Sequence, residues 1–167
     1  RMPFSTSSMI GVDLTTAGTT QLFALNTPVR GSGNSEWNYV IATGTLATGN
    51  CVWIAPLGTA NAMTTAQVAA ATAGMQIGFA QFNMPQGQYG FVATRGMNLY
   101  IGVSGTTPPN ASLAFSAIAG GLVTSLLAAV GHTAAGIYIT TSGSTGTYVA
   151  ATGIVVWPRA VAGVPLG

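Results

Sequence analysis

One histidine, one cysteine and two carboxylates, His132, Cys51, Asp13 and Glu36, are the residues of this chain best suited to acid–base, nucleophilic or metal chemistry. Acid–base catalysis by paired carboxylates needs two carboxyl groups brought together, and Asp13 and Glu36 are the only two available. A Ser-His-Asp relay would have to use His132 and Asp13 with one of the many serines. No Gly-x-Ser-x-Gly elbow presents such a serine, because GVSGT (102–106) ends in Thr106 where the motif needs glycine. His132 lies in VGHTAAG, which reads as a turn, and Cys51 in NCVWIAP reads as a small buried strand residue. One His, one Cys and two scattered acids supply neither a zinc ligand cluster nor an oxygen cage for calcium. The glycines punctuate strands rather than lead into a helix, and lysine is absent, so no phosphate cradle is legible. These residues point away from an enzyme and from any cofactor or metal.

The charged side chains read better as contacts than as catalysts. The chain has four arginines, Arg1, Arg30, Arg95 and Arg159, which are too few and too dispersed to neutralise many phosphates, so nucleic acid is not an expected partner. A guanidinium in an otherwise uncharged surface is either a solvated loop tip or a forked donor across a subunit contact. On the second reading Arg30, Arg95 and Arg159 belong to an interface, with Trp37 and Trp157 as aromatic anchors. A competing use for Trp37, Trp53 or Trp157 is stacking on sugar rings in a carbohydrate- or receptor-binding module.

Composition favours contact. Charged residues make up 4% of the sequence against about 25% in ordinary soluble domains, while 49% are apolar. A net charge of +2 gives copies little mutual repulsion, which favours association. At 167 residues the chain can bury about 70% of the surface its unfolded form exposes, so a core needs no metal or disulfide. Leu113 to Val130, LAFSAIAGGLVTSLLAAV, is about long enough to span a bilayer. Its Gly120-Gly121 pair, interspersed Ser and Thr, and lack of flanking cations read instead as a buried strand-turn-strand, so no membrane is expected. The opening residues, RMPFSTSSMIG, hold no apolar run of signal-peptide length and carry no mark for secretion.

The elements that must position these residues are strands. Period-two alternation with Gly, Pro and Asn punctuation predicts strands at 21–27, 36–42, 50–55, 76–82, 88–94, 98–104, 136–141 and 153–157. Trp37, Tyr39 and Ile41 should share one face of the second, and Tyr89, Phe91 and Ala93 one face of the fifth. Thr64-Thr65-Ala66-Gln67 has capping-box spacing, and Gly74 is placed to close the short helix that would follow. The expected fold is all-β, a small β-barrel or β-sandwich with one short helix. Residues 1–20 form an extended N-terminal arm, either disordered or ordered by a partner, and residues 21–167 a single β-rich domain.

Taken in order, TPVRGSGNSEWNYVIATGTLATGNCVWI, GMQIGFAQFNMPQGQYGFVATRGMNLYIGVSG, GGLVTS and a closing GIVVW resemble the capsid cement, or head decoration, proteins of tailed bacteriophages. The resemblance runs from about Leu25 to Trp157; Ser32-Gly33-Asn34 stands where relatives carry an acidic residue in the first hairpin turn. It implies a non-enzymatic virion protein on the outer surface of the capsid, without cofactor. Its implied partners are the major capsid protein and further copies of itself, as a homotrimer, and it would stabilise the head by bridging capsomers. The alternative is a carbohydrate- or receptor-binding head-fibre or surface module.

Overall fold

The computed structural model describes residues 12–63, 76–103, 113–115, 120–124, 132–140 and 149–162, with backbone alone for most of the last two stretches. Among these residues ten strands follow one another: β1 (Pro28–Arg30), β2 (Glu36–Ala42), β3 (Cys51–Ile54), β4 (Thr59–Ala62), β5 (Gln76–Phe79), β6 (Tyr89–Val103), β7 (Leu113–Phe115), β8 (Leu122–Thr124), β9 (His132–Ile139) and β10 (Val149–Ala162). Helical residues among those described amount to one 3-10 turn, Ser32–Asn34, inside the β1–β2 hairpin. The short helix expected after Thr64 falls outside the described residues.

The fold is an all-β barrel. Pairing runs β2-β4-β3-β5-β6 and returns from β6 to β2, which closes five strands, while β1 adds to one edge of β2 as a sixth. Closure removes the unpaired edges that invite aggregation, and the leftover edge is short and begins with Pro28, which has no N–H to offer. The C-terminal half of β6 enters a second sheet, ordered β6-β10-β9-β7-β8, whose pairings come back to β6 through Val103 opposite Leu122. One 15-residue strand therefore serves both sheets. It passes from one to the other at Gly96 (φ 151°) and Asn98 (φ 57°), positive values that glycine adopts without strain and asparagine tolerates better than most residues.

Alternation along these strands sorts the apolar side chains into two clusters. Val40 and Ala42 of β2, Val52 and Ile54 of β3, Ala60 and Ala62 of β4, and Val92 of β6 pack together, with Leu46, Ala80 and Met84 from the loops. Their small size suits the interior of a five-stranded barrel. Residues of opposite parity, Trp37, Tyr39, Cys51, Ile77, Phe79, Phe91 and Ala93, face outward into a larger cluster that continues through Leu99, Ile101 and Val103 to Leu113, Leu122, Ile137 and Ile139 of the second sheet. The aromatic faces expected for Trp37 with Tyr39 and for Phe91 with Ala93 are thus found. Phe23, Tyr39 and Phe91 meet with ring centroids 5.0 to 5.7 Å apart, in edge-on or tilted geometry.

Residues 12–25 run over this aromatic layer. Leu14 is fully buried in it, Gly18 exchanges two backbone hydrogen bonds with Tyr89, and the Leu22 N–H donates to the Tyr39 hydroxyl at 3.0 Å. The strand expected over 21–27 is not formed: Phe23 and Leu25 pack on the core, but Leu22 is exposed and Asn26 takes a positive φ of 61° that ends any extended run. The strands expected separately at 88–94 and 98–104 are one, β6. The run from Leu113 is the anticipated strand-turn-strand: Leu113 pairs with Thr124 and Phe115 with Leu122, around a turn at Gly120.

Candidate functional site

Asp13 and Cys51 are engaged within the fold itself. Asp13 accepts hydrogen bonds from the Thr15 N–H at 2.8 Å, the Thr15 hydroxyl at 2.7 Å and the Thr16 hydroxyl at 3.1 Å. Those bonds, the Thr15 backbone bond first, hold its carboxyl below the usual carboxylate range. Stability from such a group is present above its unfolded pKa of about 3.9 and is lost as pH falls through the lower folded value. Since Asp13 is exposed, Asp13→Asn should lower stability at pH 7 only slightly, and should flatten the acid limb of a urea-melt series below about pH 4.

Cys51 is fully buried at the head of β3, where its N–H donates to the Gly120 carbonyl at 2.7 Å. Burial pushes its thiol well above the ordinary value, so the thiolate that would react is suppressed. Iodoacetamide at pH 8 should leave Cys51 unmodified in the folded protein and alkylate it in urea, as intact mass would record. His132 opens β9 opposite Ala162, in a strand rather than the expected turn. No group of three or more His, Cys, Asp or Glu gathers among the described residues, and no helix there is long and apolar enough to cross a membrane.

The interface candidates separate. Trp37 is 5% exposed, and its Nε1 donates to the Ser35 hydroxyl at 2.9 Å, so its ring belongs to the chain's own core and offers a neighbour almost no surface. Trp53 is half-buried against the same core, with a covered Nε1 that has no partner. Trp157 and Arg159 lie on β10 where the pairing with β9 shifts register between Val155 and Arg159, next to Pro158, which cannot donate to the ladder.

Arg30 and Arg95 are brought together by Glu36. Arg30 is opposite Glu36 across β1–β2, and Glu36 is opposite Arg95 across β2–β6. Both guanidiniums approach the same oxygen, Oε1, at 3.8 and 3.5 Å. These contacts are longer than the 2.7–2.9 Å or so of a charge-assisted hydrogen bond. The side chains of Glu36 and Arg95 are 30% and 32% exposed, whereas that of Arg30 is 74% exposed. Three of the six charged residues of the whole chain thus sit in one row at the end of the barrel, with a net charge of +1.

Beside this row, at the end of the barrel, lie two clefts among the described residues. A cleft of about 320 Å³ is lined by Pro28, Val29, Arg30, Glu36, Asn38, Gln76 and Thr94. A second, of about 270 Å³, shares Pro28, Asn38 and Gln76 with it and continues to Asn26, Ile54, Ala55 and Pro56. The Asn38 Nδ2 donates to Gln76 Oε1 at 2.5 Å where the two meet. Asn26 donates through Nδ2 to the Ala55 and Pro56 carbonyls at 3.3 and 2.5 Å, but its Oδ1 is buried with no partner. An orphan acceptor of that kind costs about 1–3 kcal/mol until a donor reaches it.

Sequence reasoning singled out Arg30 and Arg95 but missed Asn26, Asn38 and Gln76. The available signal was Asn38 itself, a polar residue on the strand face that otherwise carries Val40 and Ala42. Large apolar side chains also remain exposed: Leu57 at 81%, Leu22 at 74%, Met97 at 60% and Tyr100 at 48%. Compared with known proteins, the chain matches no protein-family model and no curated protein.

Proposed function

We propose that this chain is a non-enzymatic virion structural protein, a capsid decoration protein that binds the outer surface of a phage head and stabilises it by bridging capsomers. The observation that carries the reading is a chain with almost no charge that leaves Leu22 and Leu57 open in loops and Met97 and Tyr100 open on β6. Such side chains gain by being covered, and nothing in the net charge of +2 opposes the approach of a neighbour. Many weak contacts repeated over a closed shell add up to firm retention, because each copy is held at several points at once. Apolar burial and backbone pairing also vary less with salt than ion pairs do. The order of phrases from TPVRGSGNSEWNYV to GIVVW supports the same assignment by resemblance.

The major capsid protein and further copies of this chain, as a homotrimer, are the partners this reading names. The covered ring of Trp37 counts against its use in the sugar-stacking alternative, which needs an open aromatic platform, and Trp53 is half-buried against the same core. Mass spectrometry of purified virions tests the proposal. A copy number close to that of the shell protein is expected; absence from the particle overturns it, and a handful of copies would favour a fibre or vertex component instead.

A further inference from the structure

We infer that residues 12–25 form an exchangeable strap: in the assembled protein they lie over the aromatic layer of a neighbouring copy, whose own strap is passed on in the same way. The inference rests on the reading above to the extent that the homotrimer belongs to it. The partner is a second copy of this chain, and the surface that receives it is the face carrying Tyr39, Tyr89 and Phe91. What fits that face is already on it. Leu14 is fully buried there, Gly18 and Tyr89 exchange two backbone hydrogen bonds, and the Leu22 N–H reaches the Tyr39 hydroxyl. None of these contacts involves Asn26 or Thr27, which join the strap to β1, so each can be remade with the barrel of another molecule.

The joint decides between the two arrangements. QLFALNT (21–27) alternates as a strand does, yet the run breaks at Asn26, with φ 61°. The chain turns back there, the Thr27 N–H and hydroxyl both donating to the Ala24 carbonyl, at 3.2 and 2.6 Å. Such a conflict between local pattern and fold marks a strained or functional position. The folded-back form has two further defects: Asn26 Oδ1 is buried without a donor, and a cavity of about 290 Å³ remains among Val12, Thr16, Leu22, Tyr39 and Tyr89. Extended values at Asn26 would carry 21–27 straight into β1, and Pro28 itself favours an extended Thr27. From Leu14 to Leu25 the strap then spans about 40 Å, enough to reach an adjoining copy. The barrel does not depend on its own strap, because β2, β4, β3, β5 and β6 close without a strand from 12–25. Passed round a ring, each strap onto the next barrel, the exchange leaves no copy uncovered.

The test is a disulfide trap in the full chain, Gly18→Cys with Tyr89→Cys. These two residues are a hydrogen-bonded antiparallel pair, whose Cα atoms stand about 5.5 Å apart, and a Cβ on Gly18 meets nothing closer than 3.9 Å. After oxidation of the concentrated protein, non-reducing electrophoresis and peptide mass mapping should find the 18–89 bond chiefly between chains. A bond confined to single chains, or no 18–89 bond, would overturn the inference. Because Tyr89→Cys removes a packed ring, a second pair of variants tests the hinge alone. Asn26→Val and Asn26→Gly lose the same side-chain bonds, but valine resists a positive φ and glycine accepts it. Light scattering should show Asn26→Val associating about tenfold more tightly than Asn26→Gly; equal association would also overturn the inference. Both measurements use the isolated protein and stand apart from the virion count. Exchanged straps in a protein missing from particles would sink the decoration reading alone, and a virion component whose 18–89 bonds form only within single chains would sink this one alone.

Discussion

Gly78→Val should cost the protein a large share of its stability. A Cβ on residue 78 would stand 2.6 Å from Val92 Cγ1, 2.9 Å from the Ala93 carbonyl oxygen and 3.4 Å from Ile54 Cδ1, inside a closed barrel. Val92 could turn, but the carbonyl is backbone and belongs to β6, whose Ala93 is opposite Phe79 of β5. Even Gly78→Ala, which would gain about 0.4–1 kcal/mol by stiffening the unfolded chain, meets an overpacking cost of about 1–3 kcal/mol and should come out destabilising. Valine adds two more methyl groups in a space that has none to give, for a total on the order of 4 kcal/mol, against a typical stability of about 5–15 kcal/mol. Urea unfolding monitored by tryptophan fluorescence checks both variants. A Gly78→Val protein with an unchanged midpoint would show that the barrel interior is looser than its contacts indicate.

Phe91→Ala should be nearly as damaging, for the opposite reason. Phe91 is 2% exposed and joins Phe23 at 5.7 Å and Tyr39 at 5.0 Å between ring centroids, so its loss opens a hole at the centre of the aromatic layer. Truncation of a buried phenylalanine costs about 3–5 kcal/mol, part of it lost transfer energy and part the cavity. At about 2–4 °C per kcal/mol for a chain of this size, calorimetry should record a fall in Tm of roughly 6–20 °C. Phe91→Leu should recover more than half of that loss. The layer it damages also holds residues 12–25 in place, so protease cleavage near Leu22 should accelerate in Phe91→Ala before the barrel itself opens.

What could be read beforehand was whatever the alternating pattern dictates locally. EWNYVIA became β2 with the expected bounds, because aromatic and β-branched residues alternate there between a 3-10 turn and a polar loop. The bend in β6 was invisible for a physical reason: RGMN has the grammar of a turn, yet Gly96 and Asn98 use their positive φ to redirect a continuing strand. Short strands such as Thr59–Ala62 carry little propensity of their own and exist because β2 and β3 stand ready on either side. Of the candidate site, the arginines were conspicuous against an uncharged background. Their joint hold on Glu36 needed the β1–β2–β6 register, which no local pattern encodes.

A strand of 15 residues, roughly 50 Å at about 3.3 Å each, that is woven into two sheets has a mechanical consequence. Tension applied to one sheet is borne along the covalent backbone of β6 into the other.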